Sequence, residues 1–79
     1  MSARHGTQTL IEYRRRGWNG SKTKTFVMPA YAVRFLAKLL SENRPDLEPI
    51  ESLSCRQRSA SFGAWHDAGD LIEQAREAA

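Results

Sequence analysis

The chain has 79 residues, 41% of them hydrophobic and 27% charged, with a formal net charge of +3 and a single cysteine. A chain this short makes one domain at most and buries only about 60% of its unfolded surface, so its stability rests on a small core that dimerisation or a partner could supplement. One thiol excludes an intramolecular disulfide and fits a reducing cytoplasm, and no apolar run reaches the roughly 18–20 residues that a membrane-spanning helix needs.

The net charge conceals an asymmetry. Residues 1–44 carry nine Lys/Arg against two acids, a balance of +7, and residues 45–79 carry three Arg against seven acids, a balance of −4. Such a dipolar chain implies either an anionic partner for the first half or internal pairing between the halves.

Residues 1–10 lack an apolar core, so no signal peptide is expected. Residues 1–7 are polar and aperiodic and are expected to be a flexible tail of a single domain spanning 1–79. Residues 9–16, TLIEYRRR, read as a strand with Ile11 and Tyr13 facing inward and Glu12, Arg14 and Arg16 outward, although Leu10 interrupts the alternation. Asn19-Gly20 predicts a two-residue type I′ hairpin turn, with Gly17 supplying a bulge or a wider loop. Residues 22–28, KTKTFVM, form the return strand, with Phe26 or Val27 inward.

Residues 29–43, PAYAVRFLAKLLSEN, are the strongest helical signal. Ala32, Phe35, Leu36, Leu39 and Leu40 recur at helical spacing, Pro29 suits a first helical position, and Asn43 followed by Pro45 marks the end. A loop with two prolines leads to a third strand over residues 50–58, where Leu53 and Cys55 alternate with Ser52, Ser54 and Arg56. Ser59 or Ser61 could cap a second helix running to about residue 77, with Trp65, Ala68, Ile72 and Ala75 on one stripe and Leu71 beside it. The expected fold is α+β in the order β-β-α-β-α: a three-stranded antiparallel sheet of order 2-1-3, with helices packed on one face and the other face wet.

The feature that most suggests function is the basic hairpin. Arg14, Arg15, Arg16, Lys22 and Lys24 lie on two paired strands with Trp18 at the tip. Arginine pairs bidentately with phosphate or carboxylate, and tryptophan anchors interfaces or stacks on bases. The competing reading is an ordinary solvated strand face with a turn aromatic folded back on it. Arg14, Arg16, Trp18, Lys22 and Lys24 are the candidate partner-binding residues, and Tyr31, Arg34 and Lys38 extend them along the helix. Whether the two pairs of hairpin cations share one face depends on the backbone near Gly17.

Other constellations are better explained structurally. GWNGSK lacks the spacing of a phosphate-cradling loop and leads into a strand. His66, Asp70 and Glu73 would share one helix face and are metal-ligand types, but no second His or Cys lies at a diagnostic spacing. Cys55 reads as a small buried hydrophobe, Trp65 as core, and the serines near His66 and Asp67 as caps rather than a triad. No catalytic residue, metal or cofactor is expected. The two functional hypotheses are a protein-binding module and a small nucleic-acid-binding domain using the basic hairpin 14–24.

Taken whole, the short β-β-α-β-α chain with polarised charge and exposed Arg14, Arg16, Trp18, Lys22 and Lys24 resembles the small single-domain proteins of phages and mobile elements, among them the anti-CRISPR inhibitors of type I systems. The resemblance is architectural and carries no shared motif. It implies a non-enzymatic inhibitor, acting in the bacterial cytoplasm, that occludes a CRISPR–Cas effector complex and blocks its binding of target DNA.

Overall fold

The computed structural model describes residues 6–59 and 63–78. The chain runs β1 (Gln8–Arg15), β2 (Lys22–Phe26), α1 (Pro29–Ser41), β3 (Ile50–Arg58), β4 (His66–Asp67) and α2 (Asp70–Ala78). It is an α+β fold with an antiparallel sheet and two helices, as the periodicities predict. Among the described residues the sheet has four strands, not three, in the order β2-β1-β3-β4.

Register explains which residues face the core. Paired residues in an antiparallel sheet share a face. Thr9, Ile11 and Tyr13 lie opposite Gln57, Cys55 and Leu53 on one side and Phe26, Lys24 and Lys22 on the other. Glu12 and Arg14 lie opposite Ser54 and Ser52 on the second face. Ile11 and Cys55 are fully buried and join Ala32, Leu36, Ala68, Leu71, Ile72 and Ala75, from both helices and the turn before α2, in one core cluster. Phe35 of α1 packs its ring 5.5 Å from Phe26 and 6.0 Å from Tyr13. Phe26 is therefore the inward residue of β2, and Val27 is exposed.

Three local expectations are corrected. The first concerns the hairpin turn. Positive φ occurs at Gly17 (+91°) and not at Gly20. A two-residue turn at Asn19-Gly20 would pair Trp18 with Ser21 and put Tyr13 opposite Phe26, but Tyr13 pairs with Lys22, and the ladder ends there. The end of β1 follows β3 instead. The register shifts between Arg14 and Arg15, Arg16 N–H donates to the Pro49 carbonyl at 3.0 Å, and Trp18 N–H closes a turn on the Arg15 carbonyl. A wider loop over residues 16–21 results.

The second concerns residues 59–69. β4 pairs with Arg56 and Gln57 of β3, and Ala68 N–H donates to the Cys55 carbonyl at 2.8 Å. Backbone groups along that edge of β3 thereby gain partners, which a helix from residue 59 would have left unmet. Gly63 has φ +105°, and the Asp67 carboxylate accepts the Gly69 N–H just before α2 begins. Trp65 and His66 are consequently outside the helix, so His66, Asp70 and Glu73 do not share a helical face. Ser59 is far from the start of α2, and Ser61 lies outside the described residues, as do residues 1–5 of the expected tail.

The third concerns the end of α1. The helix stops at Ser41, and Asn43 is used for a tertiary contact, its Oδ1 accepting the Ile50 N–H at 3.0 Å. That bond ties the helix exit to the first residue of β3. Among the described residues, no helix is long and apolar enough to cross a membrane.

Candidate functional site

The pairing of Tyr13 with Lys22 sets the floor of a cleft between the hairpin and α1. The wider loop lets Trp18 fold back, its ring 5.7 Å from Tyr13 and tilted by 53°. Lys22 Nζ lies 5.0 Å from the centre of the indole, a cation–π distance. From α1, Phe35, Lys38 and Leu39, with Glu42 just past its end, close the other side, since residues three and four apart share one side of a helix. Arg15 completes the lining of a cleft of about 340 Å³.

The candidate contact residues divide between this cleft and other places. Trp18, Lys22 and Lys38 converge on it. Lys24 shares the face of Lys22 and is exposed on β2, which is an edge strand. Lysine on an edge also discourages unwanted strand pairing, so Lys24 has a structural use besides any contact with a partner. Tyr31 and Arg34 are exposed on α1, with the Arg34 guanidinium 5.5 Å from the tyrosine ring. Arg14 is on the opposite face, where it pairs with the Glu51 carboxylate and Nη1 donates to the Trp18 carbonyl at 3.4 Å. Arg16 is exposed in the turn. The two pairs of hairpin cations therefore do not form one surface.

Sequence reasoning counted Arg15 in the basic hairpin but not among the candidate contact residues, although strand alternation alone places it on the inward side with Ile11 and Tyr13. It is 8% exposed, and Nη1 donates to the Glu48 carbonyl at 3.1 Å. Also missed is a second cationic row on the opposite sheet face. Arg56 pairs with Glu12 at 3.2 Å, and Arg58 donates to Gln8 Oε1 while lying 4.4 Å from the Trp65 ring centre. The Arg14–Glu51 and Arg56–Glu12 pairs join the two charge halves. Lys22, Lys24, Arg34 and Lys38 have no carboxylate within 4.0 Å among the described residues.

Burial pushes the Cys55 thiol up to about 11 from an ordinary value of 9.0, and the nearby carboxylates of Asp70 and Asp67 add to the shift. It is a protonated core side chain at neutral pH. Among the described residues, no group of three His, Cys, Asp or Glu is placed to hold a metal ion. Comparison of the chain with protein-family models, curated proteins and solved structures found no match. Function is therefore read from the cleft and its charges.

Proposed function

We propose that the chain is a non-enzymatic binding module whose hairpin–α1 side covers an anionic surface of a larger protein assembly. The observation that carries this is the convergence of Trp18, Lys22 and Lys38 on one aromatic-floored cleft while neither lysine pairs with a carboxylate among the described residues. An aromatic anchor ringed by cations supplies both a desolvated contact and electrostatic steering. In this reading both helices cover a single face of the sheet, and the partner meets the seam between α1 and the hairpin. The anti-CRISPR resemblance supplies the target: a type I effector complex in a bacterial cytoplasm, inhibited by occlusion of the surface that engages DNA.

The second reading, a nucleic-acid reader using hairpin 14–24, draws on the same residues. It is weakened because Arg14 is paired with Glu51 and Arg15 is recessed in the cleft, which leaves Arg16, Lys22 and Lys24 exposed to the backbone of a nucleic-acid duplex. A pull-down from bacterial lysate with and without nuclease separates the two. Retention of one protein complex after nuclease supports the first reading, and loss of every partner supports the second. Against the captured complex, Lys22→Glu/Lys38→Glu is expected to stay folded and to bind at least roughly tenfold more weakly, mainly through slower association. Trp18→Ala is expected to speed dissociation. Parental rates for both variants would show the cleft to be ordinary surface.

A further inference from the structure

Arg15 is the one strongly buried cation of the cleft, and its environment is incomplete. A guanidinium offers five N–H donors in a planar fork suited to an oxyanion. Among the described residues its side chain makes one hydrogen bond, to the Glu48 carbonyl, and no carboxylate lies within 4.0 Å of it. A buried charge is normally matched by a counter-charge, because it has lost most of its hydration. None of its nitrogens is both sealed from solvent and unbonded. The guanidinium therefore keeps some contact with water, and Arg15 lines two clefts, one walled by Tyr13, Trp18 and Phe35 and the other by Ser41, Arg44 and Glu48.

We propose that the aromatic cleft is a receptor for a planar ring bearing an oxyanion. This rests on the reading of the cleft as the contact site and names what enters it. The ring lies against the aromatic walls, and the oxyanion meets Arg15, with Lys22 and Lys38 at the mouth. Lys22 shifts off the indole face as the ring enters, which a flexible ammonium stem permits. Glu42 lines the same cleft, so three cations face one carboxylate, a local balance of +2 that matches a doubly charged aryl phosphate better than a neutral ring. At about 340 Å³ the cleft is at the small end of ligand pockets and suits one ring with its anionic group. The same chemistry reaches the site either as a free small molecule or as a side chain of the partner protein.

The probe is phenyl phosphate, titrated into isotope-labelled full-length protein while the Trp18 indole N–H resonance is followed, with Trp18→Phe used for assignment. The expected result is a saturable shift at millimolar concentration or below, roughly tenfold weaker for inorganic phosphate or phenol alone. Lys38→Gln, an exposed substitution that leaves the fold intact, is expected to weaken binding several-fold, and Arg15→Gln to abolish it if that variant folds. An unmoved Trp18 resonance, equal binding of inorganic phosphate, or parental affinity in Lys38→Gln overturns the proposal. Phenyl phosphate that displaces the captured partner identifies a partner side chain as the source, and a partner that stays bound identifies a free small molecule. If phenyl phosphate fails to bind while Lys22→Glu/Lys38→Glu still loses the partner, this inference falls and the contact surface stands.

Discussion

Cys55 has no exposed surface, and its neighbours Asp67 and Asp70 lie where β4 and the start of α2 cover β3. Its folded-state value of about 11 exceeds the unfolded value near 9.0, so the unfolded chain loses the proton first as pH rises. The thiol's contribution is therefore complete below the unfolded value and is lost between about pH 9 and 11, by roughly 2–3 kcal/mol for a two-unit shift. Urea melts of the parent and Cys55→Ala across this range are expected to show a difference that is flat below pH 8 and moves against the parent above pH 9. An equal pH dependence in the two proteins would mean that the thiol ionises freely in the fold. Arg14 makes the complementary point for an exposed residue. It lies on the outward face as strand parity predicts, and there it pairs with Glu51 and donates to the Trp18 carbonyl.

Among the elements, the hairpin depends on Gly17 rather than on Asn19-Gly20. A Cβ at Gly17 would meet nothing within 4 Å, so the cost of Gly17→Ala is purely that of holding φ at +91°. Thermal melts are expected to show destabilisation of roughly 1–2 kcal/mol for Gly17→Ala and almost none for Gly20→Ala, where space is also open and φ is ordinary. The reverse order would restore the two-residue turn. In α1 the stripe Ala32, Leu36 and Leu39 is buried as the helical period requires, and Leu36 has no exposed surface. Leu36→Ala is expected to cost about 2–5 kcal/mol, enough to unfold much of so small a domain. A circular-dichroism melt within a degree or two of the parent would contradict the placement of α1 at the centre of the core. α2 is shorter than its sequence suggested because residues 66–68 are held on the edge of β3 by backbone bonds.

For the whole molecule, the opposed charge of the two halves is neutralised internally at few points. Only Arg14–Glu51 and Arg56–Glu12 cross between them among the described residues, and all four side chains are about 34–42% exposed. Pairs this exposed contribute about 0–1 kcal/mol each and are screened by salt. Raising the ionic strength from about 0.05 to 0.5 M is expected to change folding stability by less than about 1 kcal/mol while slowing association with the captured partner severalfold. A fold that melted with salt while partner association stayed constant would mean that the asymmetry serves internal pairing. The sequence by itself determined the fold class, the inward parity of Ile11, Tyr13, Leu53 and Cys55, the buried stripe of α1 and the polarity of charge. Each of these follows from a period of two or 3.6 residues, or from composition, and needs no knowledge of distant neighbours. Tertiary structure alone decided that residues 66–67 become a strand, since the partner for that strand is the edge at Arg56 and Gln57, earlier in the chain. It also moved the turn to Gly17, because the end of β1 bonds to Pro49, and it put Arg14 and Lys22 on opposite faces. Trp18, Lys22 and Lys38 meet only because α1 packs its Phe35 side against Tyr13 and Phe26, a contact that local spacing cannot encode.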